Sequence, residues 1–376
     1  MRTLAVATGA RSEYGVLRPL LSLLRQSPDI RLALVVAGMH LSERYGSTVN
    51  VIEADGYDIA GRVEMLLPEN TPTAAARGLG KGVTGFAEAF DALKPGLLLV
   101  EGDRVEALAA TLAAGYMNIP IAHSGGGDVT GTIDDATRHA ISMFADLHFV
   151  STGLARQVLL GFGIASGSIH LVGGLGIDAL LQVRYSSRQE VLADLDLPLG
   201  AHYLLVAFHP DPNHHESCGH WMTNILKAAS NTGLHVVVTY PNADPGSDGI
   251  LRAIAEFMPA HQQKTRCFKS LGQVRYLNAL KQADVLVGNS SSGLYEAPTL
   301  KVPVANVGDR QEGRLKAANV VDCSYEPSDI EAALAHALGD PLFRAGLADT
   351  ENPYGDGHAA ERMLDVVKEK LAQCTP

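Results

Sequence analysis

Asp103, Asp128, Asp134 and His209 each stand just past a short apolar run, at the places where a buried strand returns the chain to solvent. Carboxylates and an imidazole in such positions suit general acid–base work, which typically contributes about 10²–10⁴-fold to a rate. A second group of residues has a different chemistry. Val285-Leu286-Val287 runs into Gly288-Asn289-Ser290-Ser291-Ser292-Gly293, a helix-like segment carrying Glu296 follows, and the apolar run Val302 to Val307 ends in Gly308-Asp309-Arg310. Strand, hydroxyl-rich turn and helix start together bind phosphate. Backbone N–H groups and serine hydroxyls point at the anion, and the helix start adds roughly half a positive charge. Glu296, one helical turn on, is placed to accept hydrogen bonds from a ribose. The segment reads as half of a nucleotide site.

The elements that must position these residues follow from the apolar pattern. Short runs at Leu4–Ala7, Leu32–Val36, Leu97–Val100, Ile119–Ala122, Leu147–Val150 and Ile169–Val172 form one set. Tyr203–Phe208, His235–Thr239, Val285–Val287, Val302–Val307 and Val320–Val321 form a second. They lack clean two-residue alternation, as expected of parallel strands buried on both faces. Helical segments lie between them: Val16–Arg25, Val105–Tyr116, Ala136–Phe144, Trp221–Ala229, Val274–Gln282 and Ile330–Leu338. The alternation predicts an α/β fold of two Rossmann-like doubly wound domains facing a cleft, with ligands beyond the carboxyl ends of the strands. Residues 176–200 hold no strong strand and mark the boundary. The expected domains are 1–180 and 181–356, with a C-terminal helix over 357–373 packing back on the first.

Read singly, each polar group has a plainer role. Gly125 to Asp128 fits an ordinary glycine loop. Asp134-Asp135 fits a helix N-cap, Asp103-Arg104 a local ion pair, and His209 a strand-end histidine before Pro210. His214-His215 lacks a third metal ligand at useful spacing and reads as a solvated loop, and Trp221 as packing. The chemical reading gains because the three acids and His209 occupy strand ends of the same type.

Composition narrows the class. A chain of 376 residues, 46% hydrophobic and 19% charged, is a globular protein of two or three domains. A net charge of −11 argues against a nucleic-acid surface but not against a nucleotide, for which a few local arginines suffice. Cys218, Cys267, Cys323 and Cys374 show no paired or zinc spacing and read as reduced thiols. No apolar run approaches about 18 residues, and the N-terminus does not read as a signal peptide, so a cytoplasmic protein without a membrane partner is expected.

Several motifs in order carry a resemblance: TGARSEYG at 8–15, GDR at 102–104, H-x-x-G-G-acid at His123–Asp128 and IDDATRHA at 133–140. FHP at 208–210, PNADPGSD at 241–248, GNSSSGLYE at 288–296 and GDRQEGR at 308–314 continue it. Over nearly its whole length the chain resembles the hydrolysing UDP-N-acetylglucosamine 2-epimerases of sialic acid biosynthesis. It resembles equally their relatives acting on UDP-2,4-diacetamido-2,4,6-trideoxy-glucose in legionaminic acid biosynthesis. The resemblance implies a glycosyltransferase-B-like fold, no cofactor, no metal, and a homodimer or homotetramer. It implies that Arg11 and Arg104 approach the diphosphate and that Asn242, Ser290, Ser291, Ser292, Gly293 and Arg310 hold the nucleotide, with Glu296 on the ribose. His123, Asp135 and Arg138 would join the binding residues, and Asp103, Asp128, Asp134 and His209 would surround the sugar as catalytic groups. The implied reaction loses UDP from C1 and the proton from C2, passes through a 2-acetamidoglycal, and adds water back to release a free manno-configured sugar. Some relatives have Glu where this chain has Gly125 and Ser where it has Gly15, and the usual Glu after the two glycines is Asp128 here. Non-hydrolysing epimerisation, glycosyl transfer on the same fold, and nucleotide-sugar binding without turnover are the competing functions.

Overall fold

The computed structural model describes residues 1–69, 71–129, 133–211, 214–242 and 244–373. Ala243 of the motif PNADPGSD, and Cys374, lie outside the described residues. The chain divides into two compact units, Met1–Gln182 joined by the segment from Tyr354 onward, and Val183–Pro353.

The first unit holds seven strands: β1 Arg2–Thr8, β2 Ile30–Ala37, β3 Ile59–Val63, β4 Leu97–Glu101, β5 Ile121–Ser124, β6 Leu147–Val150 and β7 Ile169–Leu171. They pair in the order β3-β2-β1-β4-β5-β6-β7, all parallel. The second unit holds β8 Tyr203–Ala207, β9 His235–Thr239, β10 Thr265–Phe268, β11 Val285–Gly288, β12 Val304–Val307 and β13 Val320–Cys323. Its order is β10-β9-β8-β11-β12-β13, again all parallel. Each sheet has helices on both faces, which explains the absence of alternation. Along β1, Leu4 and Val6 enter one core and Ala5 and Ala7 the other. Along β8, Leu204 and Val206 face one core while Tyr203, Leu205 and Ala207 face its opposite. Strand order reverses between β1 and β4 and between β8 and β11, so each unit has one topological switch point, where doubly wound sheets take ligands.

Two strands lack the apolar signature. β3 and β10 are edge strands with the sequences IAGRV and TRCF. A strand with one neighbour and an open edge needs no continuous apolar run. The helix Pro72–Leu93 is likewise hidden, because Gly78, Gly80, Gly82 and Gly85 read as loop. Three of these glycines serve packing: a Cβ at Gly82 would stand 2.9 Å from Met65 Cε and one at Gly85 2.8 Å from Val63 Cγ1, while one at Gly78 would meet the Met65 carbonyl. The bare face lets the helix press against β3 and the segment after it.

The last helix, Ala359–Gln373, belongs to the first unit, where Met363, Val367 and Leu371 enter the same core as Leu17, Leu21 and Leu24. Its start is capped from elsewhere in the chain. The carboxylate of buried Asp178 accepts from the N–H groups of Ala359 (3.2 Å) and Ala360 (2.8 Å). Asp178→Ala leaves two buried donors unpaired and is expected to cost about 1–3 kcal/mol of stability, read by denaturant unfolding. Asp178→Asn keeps one acceptor oxygen and is expected to cost less; equal stability of the alanine variant and the wild type would refute this role. Among the described residues no helix is long and apolar enough to cross a membrane.

Candidate active site

In the first unit the turns after β1, β4 and β5 carry the predicted residues. Arg138 organises them. It lies on the helix Ile133–Phe144, it is buried, and its guanidinium donates to three acceptors. Nη1 donates to the Asp128 carbonyl oxygen (2.8 Å) and to Asp135 Oδ1 (2.6 Å), and Nη2 pairs with Asp103 Oδ2. A residue 35 positions from Asp103 in sequence thus gathers the turn after β4, the turn after β5 and its own helix start into one group. Asp134, exposed at that helix start, is adjacent in sequence to Asp135. The turn is tightly fitted: Gly127 has φ +83°, and a Cβ there would stand 2.3 Å from the Ala155 carbonyl oxygen.

His123 stands behind this group rather than in it. It is fully buried, its Nε2 donates to the Gly102 carbonyl (2.8 Å), and its Nδ1 meets the Ser142 hydroxyl (3.0 Å). Burial lowers its pKa to about 4, so the ring is neutral and fixes the backbone just before Asp103. Arg104 is held by carboxylates of its own unit. Its Nε lies 3.3 Å from Glu106 Oε2 and 3.9 Å from Glu13 Oε1, so its guanidinium is drawn toward two buried carboxylates. Glu13 accepts from the N–H groups of Gly9 (2.7 Å) and Ala10 (3.1 Å), and burial raises its pKa to about 7. Arg11, next in sequence, is exposed at the start of the helix Arg11–Gln26.

The second unit's switch point is locked by a reciprocal pair. The His209 N–H donates to Asn289 Oδ1 (2.7 Å), and Asn289 Nδ2 donates back to the His209 carbonyl (2.9 Å). The Asn289 carbonyl accepts from Arg310 Nη1 (3.2 Å) and from buried Gln311 Nε2 (2.8 Å). His209 Nδ1 accepts from the Asn242 N–H (3.2 Å), which leaves Nε2 to carry the ring proton. Burial, with the Arg310 charge acting in the same sense, lowers the His209 pKa to about 4. The imidazole is therefore a neutral N–H donor at physiological pH.

The serine turn is built differently from the sequence expectation in two respects. The helix that follows is the single turn Ser292–Tyr295, and a second short one, Ala297–Leu300, holds Pro298, which has no N–H to donate. One turn does not accumulate a helix dipole, so the donors available there are local N–H groups, hydroxyls and Arg310. Ser292 and Gly293 are buried: the Ser292 hydroxyl bonds to Tyr276 Oη (2.6 Å) and to the Ser290 hydroxyl (2.9 Å). Ser290 and Ser291 remain partly exposed. Glu296 is the linking residue between the two short helices, and burial raises its pKa to about 7.

Residues without a motif signature complete the surroundings of each unit's switch point. Glu106 fills the space against Gly9 and Gly38, and Tyr276 anchors the serine chain. Glu101, the last residue of β4, is hydrogen-bonded by Ser124, its Oε2 is buried without a partner, and burial raises its pKa to about 7. An acid at a strand end looks solvated in sequence, and only the fold reveals otherwise. His214 bonds through Nδ1 to Asp211 (3.0 Å) and sets its ring edge against Trp221. Among the described residues no group of three His, Cys, Asp or Glu side chains could hold a metal ion.

Two doubly wound parallel α/β units of this kind define the glycosyltransferase-B-like architecture. The sequence profile of the UDP-N-acetylglucosamine 2-epimerase family matches residues 22–368, and the chain belongs to that family. It is 35% identical to a UDP-N,N'-diacetylbacillosamine 2-epimerase (hydrolyzing) of Legionella pneumophila, over 98% of this chain and 96% of that protein. It is 33% identical to the polysialic acid biosynthesis protein P7 of Escherichia coli, over 98% and 94% of the two chains. Its fold matches the crystal structure of UDP-GlcNAc 2-epimerase from Neisseria meningitidis bound to UDP-GlcNAc with a TM-score of 0.77, at 20% identity over 98% of this chain and 100% of that one.

Proposed function

We propose that the protein is a hydrolysing 2-epimerase that converts UDP-N-acetylglucosamine and water to N-acetylmannosamine and UDP. The observation that carries this reading is that Arg138 gathers the carboxylates of Asp103 and Asp135 and the backbone carbonyl of Asp128 into one group. A C2–H with no neighbouring carbonyl is a poor acid, so the C1–O bond must break ahead of it and make the sugar cationic. Carboxylates stabilise that cation, and one takes the C2 proton. Ser290, Ser291, Arg310 and the neutral Nε2–H of His209 stabilise the charge growing on the departing diphosphate, and Glu296 holds the ribose. Elimination yields a 2-acetamidoglycal; water then bonds to C1 and a proton arrives on the opposite face of C2.

A second substrate is favoured by a specific finding. The 35% identical Legionella relative is named for UDP-N,N'-diacetylbacillosamine, whose sugar is the 2,4-diacetamido-2,4,6-trideoxy-hexose. Product analysis by NMR with each UDP-sugar in turn decides between them. The proposed reaction gives free sugar and UDP in equal amounts, with ¹⁸O from labelled water in the sugar and deuterium from D₂O at C2. Label in the terminal phosphate of UDP, a UDP-linked epimer as the accumulating product, or turnover only with an added acceptor would each overturn it.

A further inference from the structure

The reaction needs two groups in opposite states at neutral pH, one ready to take a proton and one holding a proton to give. Asp103, paired with Arg138, is suited to the first task. A carboxyl suited to the second must be deprived of what stabilises an anion. Glu101 meets that description by its surroundings. It closes β4 two residues before Asp103 and sits opposite Ser124 in the parallel register with β5. Ser124 supplies one hydroxyl, Oε2 is buried with no hydrogen-bond partner, and the charged side chains acting on the group are both acids, Asp128 more strongly and Asp103 less. Arg138, the nearby cation, is committed to Asp103, Asp135 and the Asp128 carbonyl. No side chain covers the group from the next turn: the position of a Cβ on Gly125 lies 3.5 Å from Glu101 Oε1. A buried carboxyl with one donor and two acidic neighbours keeps its proton to a higher pH than a solvated one.

We propose that Glu101 holds the proton delivered to C2 in the second half of the reaction and passes it through Asp128. The inference rests on the epimerase reading above. In the first half, the C1–O pair leaves with UDP and Asp103 takes the C2 proton, giving the C1=C2 double bond of the glycal. In the second half, Glu101 gives its proton to the Asp128 carboxylate, the double-bond pair takes that proton at C2 from Asp128, and the oxygen of water bonds to C1. The proton shed by that water restores Glu101, and the one on Asp103 passes to solvent. Glu101 is thus a proton-holding residue that acts through Asp128. Delivery requires its protonated form, so epimerised product should fall as pH rises through about 7. Glu13 and Glu296 titrate in the same range, so the assignment depends on a variant of Glu101 itself.

The test compares wild type, Glu101→Gln and Glu101→Asp, each checked for folding by thermal melting and for UDP binding by calorimetry. Glu101→Gln keeps the shape of the neutral acid without a transferable proton. It is expected to release UDP within about tenfold of the wild-type rate, yet to form free manno sugar at least about 100-fold more slowly, with the glycal appearing instead. Glu101→Asp is expected to recover part of the epimerised product. A glutamine variant that makes sugar at more than a tenth of the wild-type rate would overturn the proposal, as would equal loss of UDP release and sugar formation. If the wild type turns over neither UDP-sugar, the epimerase reading fails, and ¹³C-carboxyl NMR of labelled glutamate still judges Glu101. A resonance titrating near pH 7 and absent from the glutamine variant upholds its neutral state; its titration in the ordinary carboxylate range overturns it.

Discussion

Replacing Asp103 by asparagine is expected to lower kcat by about 10²–10⁴-fold, because the amide has the shape of the acid but no basic oxygen to take a proton. The argument depends on what the substitution leaves in place. Arg138 keeps its bonds to Asp135 and to the Asp128 carbonyl, so the turn after β5 and the start of the helix Ile133–Phe144 stay tied. His123 still holds the Gly102 carbonyl just before the altered residue. UDP affinity, assigned to residues of the second unit, should change by less than about threefold, a uniform-binding interaction being untouched. Calorimetry with UDP and single-turnover kinetics check both halves, and C2 deuterium exchange reads proton abstraction directly. Retention of a tenth of wild-type turnover would remove Asp103 from the proton transfers. Asp103→Ala should be worse folded than Asp103→Asn, since it opens a hole beside a buried guanidinium.

Gly288→Ala is expected to damage the second unit more than any single side-chain deletion in it. Gly288 ends β11 with φ +130°, and it is paired in register with Ala207 of β8. A Cβ there would stand 2.2 Å from the Ala207 carbonyl oxygen and 2.8 Å from its carbon. Both obstacles are backbone of the neighbouring strand, so no rotamer relieves them. The strands must separate at the point where Asn289 and His209 exchange hydrogen bonds, which would splay the turns after β8 and β11. A cost of about 3 kcal/mol or more is expected from backbone strain and overpacking together. Gly233→Ala is the control. Gly233 also has positive φ (75°) but nothing within 4 Å of a new Cβ, so it carries the conformational cost of about 1–2 kcal/mol without the collision. Denaturant unfolding and UDP calorimetry measure the two effects. Equal stability of the two variants would show that the β8–β11 contact is not the constraint.

The central strands were legible because burial on both faces demands apolar residues at every position. β3 and β10 escaped because an edge strand such as TRCF is exempt from that demand, and the helix Pro72–Leu93 because its packing face is made of glycines that read as loop. At the site, Asp103, Asp128, Asp134 and His209 could be noticed because strand ends are visible in sequence. Arg138 could be noticed only as one member of a motif. Its role as the centre of the acid group depends on bringing residues 103 and 138 together, which no local pattern encodes. Glu101 and Glu106 are hidden for the opposite reason. Each resembles a solvated residue at the end of an element, and only the closeness of Gly125, Gly9 and Gly38 reveals that water has been replaced by backbone.

The capping of the last helix by Asp178 has a consequence for the order in which the protein is made. The second unit is one uninterrupted stretch, Val183–Pro353, and can complete its core as soon as that stretch has left the ribosome. The first unit cannot. Its seven strands emerge before the second unit, yet the side chains of Met363, Val367 and Leu371 that close its core are translated after the whole of that unit. At about 5–20 residues per second, the N-terminal core waits roughly 10–40 s for them with an apolar seam uncovered. The unit that is begun before the other is completed after it, and any pause between the two falls on the unit that carries Asp103, Asp128 and Asp134.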